Sequence, residues 1–599
     1  MRAATRKIDL RARPGAGLGR AALRGLVASL LLVTLAFAED RPPQPEATAA
    51  IAPRQSVLGR EMMVATANPL ASETGFAVLE AGGTAADAAV AVQMMLNLVE
   101  PQSSGIGGGG FVVYWDAAAR QLTTFDGRET APLAAGPFYW IGPDGKPLGF
   151  WDAAAGGRSV GVPGTLKLME VLHARFGRRP WPDLLQPAID RAEAGFTISP
   201  RLAAAIADAK ANRLADFPAA SALFLHPDGS PREAGETLRN PALAATLRQI
   251  AAEGSAPFYH GPIARDIVAA VRGAANPGVM TPADLAIYRV IERPPVCMPY
   301  RAREVCGMGP PSSGALTVGQ ILGILAQFDL TAIGEGPQAW HLFIEASKLA
   351  FADRARYMAD ADFVDMPTEG LLDPRYLAAR ARAIDPLQAM GKATAGNPPW
   401  DRPEPLGSDR PRPRKGTTQF VIRDREGNLV SATTTIETGF GSRVMVDGFL
   451  LNNELTDFSF LPEEDGAPVA NRVEPGKRPR SSMAPTIVLQ DGEPMLATGS
   501  PGGANIIPFV AQALIGILDW NLDPQTAIDA PHVVNLNGKT RIEASPQAPA
   551  LIAALTARGQ VVETADLNSG LQAILIENGQ LLGATDKRRE GLVLSDEGR

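Results

Sequence analysis

Lys415-Gly416-Thr417-Thr418-Gln419 marks an abrupt change of character in this 599-residue chain. The residues before it run Gly396-Asn397-Pro398-Pro399-Trp400-Asp401-Arg402-Pro403-Glu404-Pro405-Leu406-Gly407-Ser408-Asp409-Arg410-Pro411-Arg412-Pro413-Arg414. Six prolines in that run exclude helix and sheet interiors, so a flexible tail is expected over about 396–416. From Thr418 to Ile422 the pattern becomes strand-like and opens a dense α/β second half. One reading is that a Thr-Thr pair merely begins a strand, since Thr favours strands. The other is chemical. Cutting the Gly416–Thr417 bond would free an α-amine beside the hydroxyl of the same threonine, joining nucleophile and base in one residue. Such an amine has a reference pKa of roughly 7.7–8.0, suited to accepting the hydroxyl proton near neutrality.

Further motifs favour the chemical reading. Thr417-Thr418-Gln419-Phe420 leads into the turn Asp424-Arg425-Glu426-Gly427-Asn428. Downstream stand Asn452-Asn453-Glu454-Leu455-Thr456-Asp457-Phe458, Arg478-Pro479-Arg480-Ser481-Ser482-Met483-Ala484-Pro485-Thr486 and Thr498-Gly499-Ser500-Pro501-Gly502-Gly503. Upstream, in order, come Asp126-Gly127-Arg128-Glu129, Gly161-Val162-Pro163-Gly164 and Pro310-Pro311-Ser312-Ser313-Gly314. This ordered set resembles the γ-glutamyltranspeptidase family of N-terminal nucleophile hydrolases, over nearly all of the chain after residue 55. The resemblance implies an α/β (α+β) fold, a four-layer αββα sandwich, built from two chains made by autocleavage. Residues 39–416 would form a large subunit and 417–599 a small one, held together as a heterodimer. It further implies γ-glutamyl transfer and hydrolysis, with glutathione and related γ-glutamyl compounds as donors and water, amino acids or dipeptides as acceptors.

The first 38 residues read as a leader. Seven basic residues against Asp9 give it a charge of +6, Leu26 to Phe37 is largely apolar, and Ala36-Phe37-Ala38 supplies small residues for cleavage after Ala38. That core falls short of the ~20 residues needed to span a bilayer, so a periplasmic or secreted protein is expected, with a retained signal-anchor as the alternative. The remaining 561 residues carry a net −13, which argues against a nucleic-acid partner. Their length suits several domains or one large processed fold.

Cys297 and Cys306 are the only cysteines. If Arg301-Ala302 form a two-residue hairpin turn, Tyr300 faces Arg303 and Cys297 faces Cys306, about 4.5–5.5 Å apart and within disulfide range. An oxidising compartment would close the bond; the alternative is two buried thiols. The five histidines are scattered and form no HExxH, so neither a metal site nor a cofactor is expected, and no Ser-His-Asp signature appears. Gly105-Ile106-Gly107-Gly108-Gly109-Gly110 satisfies GxGxxG literally, but a strand, Phe111 to Trp115, follows it. The dinucleotide fingerprint requires a helix there; a tight turn in the core of a sheet fits better. Thr84, with Asp87 three residues on, should cap a helix reaching Val99. Residues 165–395 read as mostly helical, and strands alternate with hairpins after Thr417.

In this reading Thr417 attacks the substrate carbonyl to give an acyl-enzyme, and the resemblance places the Thr435 hydroxyl against its hydroxyl or amine. Gly502 and Gly503 can present consecutive backbone N–H groups to an oxyanion. Arg128 offers a planar fork for an α-carboxylate, Ser481 and Ser482 add hydroxyls to it, and Glu454 and Asp457 offer anions to an α-ammonium. Taken singly, these are a surface turn and a solvated edge; together they specify a zwitterion. Two positions depart from the usual family pattern: Gln419 stands where His is frequent, and Glu437 where Asn is frequent, though Glu can still accept a hydrogen bond from an ammonium. The stretch between Phe458 and Pro479 is intermediate in length between lidded and lidless relatives. Two competing readings remain: a β-lactam side-chain (glutaryl) acylase of the same architecture, and an uncleaved exported protein that only binds amino acids or peptides.

Overall fold

The computed structural model describes residues 54–409 and 416–598; the leader lies outside these. Two seven-stranded, wholly antiparallel sheets form the centre. Their strands are β1 (Val57–Gly59), β2 (Met63–Thr66), β3 (Gly109–Asp116), β4 (Gln121–Gly127), β5 (Ile291–Arg293), β6 (Val296–Tyr300), β7 (Arg303–Gly307), β8 (Thr418–Arg423), β9 (Leu429–Thr435), β10 (Thr486–Gln490), β11 (Glu493–Gly499), β12 (Gln572–Glu577), β13 (Gln580–Thr585) and β14 (Leu592–Ser595). The first sheet runs β1-β13-β12-β11-β10-β7-β6 and the second β14-β2-β8-β9-β3-β4-β5.

The period-2 alternation of strand side chains creates the layers. In β8, Val421 points into the seam between the sheets with Met63, Val113, Ile487 and Ile574, while Phe420 and Ile422 point the other way. Outside the second sheet lies a helical layer that includes α1 (Pro69–Glu80) and α2 (Ala85–Val99). Outside the first lie α3 (Gly314–Leu325), α4 (Pro337–Tyr357) and α5 (Ile506–Leu518). The result is helix, sheet, sheet, helix. Because both sheets are covered on both faces, their central strands are buried along most of their length, polar threonines included. Among the described residues no helix is long and apolar enough to cross a membrane.

Local expectations translate directly. Thr84 and Asp87 form a reciprocal capping box on α2. Cys297 and Cys306 pair across the β6–β7 hairpin in the register that puts Tyr300 opposite Arg303, and a disulfide joins them. The glycine run enters β3 against its neighbours. A Cβ on Gly108 would lie 1.9 Å from the Thr435 carbonyl oxygen, and one on Gly107 would lie 2.1 Å from that of Leu450. Its glycines therefore serve close backbone approach rather than a phosphate.

The proline-rich segment departs from expectation. Through Asp409 it has no helix and almost no strand, as its prolines require, but it is fastened rather than loose. Gly396 N donates to Asp353 at 2.7 Å, the Tyr357 hydroxyl donates to Gly396 O at 2.6 Å, and Gly407 bridges to Val469. Partners on α4 and on the 458–470 segment replace the regular hydrogen bonds that proline denies it.

Candidate active site

Thr417 sits one residue before β8, and the β8–β9 register pairs Thr418 with Thr434. That register sets the next residue of β9, Thr435, beside Thr417: the Thr417 hydroxyl lies 3.3 Å from the Thr435 hydroxyl and also hydrogen-bonds to the carbonyl of Gly416. Thr435 Oγ1 in turn accepts the backbone N–H of Glu437 at 2.8 Å. Gly416 has φ 106°, and a Cβ there would lie 2.3 Å from the Glu437 carbonyl oxygen, so glycine is required before the threonine. On the other side, the Arg589 guanidinium donates to Thr417 O at 3.2 Å and to Ser569 O at 2.8 Å.

The loop after β9 turns through residues of positive φ, Glu437 and Phe440 among them. Buried Arg443 braces it by donating to the carbonyls of Gly439 and Gly441. Burial lowers the Arg443 pKa to about 10, a measure of how far this brace is removed from water. Gln419 is buried too, with its amide on Thr433 and Ser431; it supports the strand pair and does not line the cleft.

Thr417, Thr435, Glu437 and Gly416 share one cleft of about 230 Å³ with Arg128, Glu454, Asp457, Ser481, Ser482 and Gly503. Gly502, at φ 136°, lies just outside its lining and starts the short turn leading into α5. The cleft thus gathers every proposed substrate residue, from Arg128 to Ser482. The cleft also reaches the stretch of intermediate length: Phe460, Leu461, Glu464 and Val469 form part of its wall.

Arg128 is already engaged in the unliganded chain. Its two terminal nitrogens are already taken, Nη1 by Glu454 and Nη2 by Asp457 at 2.5 Å, while Nε donates to Pro479 O at 3.1 Å. The fork is therefore not open to an incoming carboxylate as it stands. Arg128 and Glu454 are buried, and Asp457 alone keeps a quarter of its side chain exposed (26%). Glu129 lies next to this group with Nη1 of Arg128 at 3.8 Å, and neither of its carboxyl oxygens accepts a hydrogen bond. Three carboxyls, two of them fully buried, surround one guanidinium, an arrangement that favours a proton on the cluster. Burial, reinforced by mutual repulsion, pushes the carboxyls of Glu129 and Glu454 upward, while Asp457 and Arg128 pull Glu454 in opposite directions. For Arg128, burial opposes the charge, but Glu454, Asp457 and Glu129 outweigh it and raise its pKa.

The Pro310–Gly314 motif finds its purpose here. Ser312 Oγ donates to Met483 O and Ser313 Oγ to Ser481 O, each at 2.6 Å, fixing the strand-like run that presents Ser481 and Ser482. Sequence reasoning did not single out Arg354, Arg480 or Asp409, which also line the cleft. Arg354 donates to Ser482 Oγ at 2.6 Å and to Ser313 Oγ at 2.8 Å. Arg480 belongs to the Arg478–Thr486 motif, but one charged residue among many carries no signal without its partner.

A description of Gamma-glutamyltranspeptidase as a family matches residues 71–595. The chain belongs to the γ-glutamyltranspeptidase family. The glutathione hydrolase proenzyme of Bacillus subtilis is 38% identical over 556 residues, 90% of this chain and 92% of that protein. The Acylase ACY 1 proenzyme of a Pseudomonas strain is also 38% identical, over 89% of this chain and 93% of that protein. Among solved structures, a cephalosporin acylase from Bacillus halodurans superposes with a TM-score of 0.81 at 28% identity, covering 94% of this chain and all of that one. γ-Glutamyltranspeptidase relatives and acylase relatives thus share this architecture, and residues in the cleft must separate them.

Proposed function

We propose that this enzyme cleaves the γ-glutamyl amide bond of glutathione and related compounds and passes the γ-glutamyl group to water or to an amine acceptor. The observation that carries this reading is the Thr417 hydroxyl, set against both the Gly416 carbonyl and the Thr435 hydroxyl at the floor of a cleft walled by an Arg–Glu–Asp cluster.

Processing comes first. The Thr417 hydroxyl adds to the Gly416 carbonyl carbon, the peptide C–N bond breaks with proton transfer to nitrogen, and water hydrolyses the resulting ester. Gly416 then ends in a carboxylate and Thr417 begins with a free amine. In turnover that amine takes the hydroxyl proton as oxygen attacks the γ-carbonyl. Backbone N–H groups of Gly502 and Gly503 stabilise the oxyanion, a contribution of about 2.7–4 kcal/mol per donor. The ammonium returns its proton to the departing amine. The remaining acyl ester is resolved by water or by a second amine, so one site both hydrolyses and transfers. Thr435 orients the nucleophile, and Arg589 holds its carbonyl.

The engaged state of Arg128 gives substrate binding a definite form. An α-carboxylate reaches Nη2 by taking over from Asp457, and the displaced Asp457 carboxylate then meets the α-ammonium of the same substrate. Glu437 offers a second anion, and Ser481 and Ser482 add hydroxyls on the carboxylate side. A glutaryl group carries no α-ammonium to meet Asp457 once it has given up Arg128. This is the argument against the acylase reading, which the similarity to two acylases otherwise keeps in play. Export through the N-terminal leader, and association of large and small subunits as a heterodimer, complete the proposal.

The deciding experiment measures γ-glutamyl-p-nitroanilide against glutaryl-p-nitroanilide on purified protein, alongside N-terminal sequencing of its fragments. A second chain beginning Thr-Thr-Gln-Phe and a preference for the γ-glutamyl anilide are expected. Faster turnover of the glutaryl compound would establish the acylase reading instead.

A further inference from the structure

Ser408 and Asp409, a short way upstream of Gly416, line the cleft that contains Thr417. Gly407 N donates to Pro468 O at 3.0 Å, Ser408 N to the Glu464 carboxylate at 2.8 Å, and Asp409 N to Ala355 O at 2.8 Å. The Asp409 side chain then turns onto Arg480, accepting from its Nη2 at 2.6 Å, with Asn471 Nδ2 at 3.4 Å. Asp409 and Arg480 both line the cavity that contains Thr417.

Arg480 is held as a receptor is held. It is 5% exposed, its Nη1 donates to the carbonyls of Arg354 and Met358, and its backbone N–H is fixed by Asn471 Oδ1 at 2.9 Å. Its Nε has no hydrogen-bond partner. A second buried guanidinium, Arg354, lines the same cleft. The carboxylate this site holds belongs to a segment seven residues before Gly416, which processing would disconnect from the nucleophile.

We propose that Arg480 and Asn471 form a second carboxylate subsite, one that receives the carboxylate of the leaving or accepting amine, such as the C-terminal carboxylate of a dipeptide, and that Asp409 is the intramolecular stand-in that fills it in the uncut chain. The proposal rests on the γ-glutamyl transfer reading above. The guanidinium of this subsite is a different one from that of the Arg128 cluster, which receives the α-carboxylate of the γ-glutamyl group, but the two adjoin: Arg128 Nη2 donates to Arg480 O at 3.3 Å and Asn471 Nδ2 to Asp457 O at 2.7 Å. A zwitterionic donor with a carboxylate at each end thus meets two guanidinium groups in one cleft, with Thr417 on the floor. After cleavage Asp409 is held by the contacts of residues 407–409 and competes as a tethered ligand, with an effective concentration on the order of millimolar for a short linker.

The test uses the processed, full-length protein and compares kcat/KM for glutathione with that for glutathione C-terminal amide, which differ in the one carboxylate. Wild type is expected to favour the acid, Asp409→Ala to increase the acid-to-amide ratio by removing the competitor, and Arg480→Gln to bring it close to one. A lost charge-assisted hydrogen bond corresponds to roughly a tenfold to hundredfold change. A ratio that is the same in all three proteins overturns the proposal. Should Asp409→Ala or Arg480→Gln fail to fold or process, wild type alone decides, because equal kcat/KM for acid and amide is incompatible with a carboxylate subsite. Hydrolysis of γ-glutamyl-p-nitroanilide by wild type, whose leaving group has no carboxylate, checks the underlying reading separately: its absence removes the γ-glutamyl assignment, whereas its presence with a flat acid-to-amide ratio removes the subsite alone.

Discussion

Glu454 joins recognition to pH. Burial, with repulsion from its acidic neighbours, pushes its carboxyl to about 7 despite Arg128 beside it. A carboxyl raised in the folded state binds more protons there than in the unfolded chain between about 4.5 and 7. Stability from this group is therefore greatest below the unfolded value and falls as pH rises through the folded one. Binding has the opposite sign, because an ionised Glu454 strengthens the negative field that attracts an α-ammonium. We expect kcat/KM for γ-glutamyl-p-nitroanilide to rise through a limb near pH 7, and Glu454→Gln to remove that limb while leaving the one from the Thr417 amine. A limb unchanged in Glu454→Gln would assign it elsewhere. Asp457→Asn makes the companion case. It leaves a bound ammonium without its counter-charge, at a cost of ~2–5 kcal/mol, so kcat/KM for the γ-glutamyl anilide should fall by one to several decades. The glutaryl anilide should be far less affected; equal losses on both substrates would show that Asp457 does not read the ammonium.

At the scale of elements, the glycine run into β3 and the β6–β7 hairpin make unlike predictions. A Cβ on Gly108 would collide with the backbone of Thr435, and backbone cannot rotate away. Gly108→Ala should cost about 1–3 kcal/mol from overpacking and displace the residue facing Thr417, lowering both Tm and turnover. The disulfide is far from the cleft residues in sequence and closes a short loop. Cys297→Ser should lower stability by ~2–3 kcal/mol with kcat/KM retained, measured by denaturant midpoint and anilide turnover. These elements also show what could be read without coordinates. The capping box at Thr84, the Cys297–Cys306 register and the strand following the glycines are set by neighbours in sequence, and local rules reached them. The engagement of Arg128 by Glu454 and Asp457, the brace from Ser312 and Ser313 to the Ser481 segment, and the hold of Arg480 on Asp409 all join residues tens to hundreds of positions apart. No periodicity encodes them. The motifs named most of the residues in the cleft; which of them touch in the unliganded chain is a property of the folded packing.

For the whole molecule, the strand order decides what cleavage does. A cut after Gly416 would leave β1–β7 on one fragment and β8–β14 on the other. In the first sheet β1 is paired to β13 at one edge, and the β6–β7 hairpin joins β10 through β7 at the other. In the second, β2 lies between β14 and β8, and β9 pairs with β3 along its full length. Both sheets are therefore shared, through two cross-fragment pairings in the first (β1–β13, β7–β10) and three in the second (β2–β14, β2–β8, β3–β9), and the core between the sheets draws Val113 and Cys306 from one fragment and Val421 and Ile574 from the other. Separating the fragments would break every one of these strand pairings and expose that core, far beyond the burial of a standard protein–protein interface. We expect processed protein to elute as one species under native conditions and to resolve into two bands only in denaturant. Thr417→Ala should give a single band and no activity, since the cutting and the attacking hydroxyl are the same atom, yet it should match the processed enzyme in native elution and closely in circular dichroism. Two bands from Thr417→Ala would place the processing nucleophile elsewhere. Fragments that part without denaturant would mean that the shared sheets do not hold the two halves together.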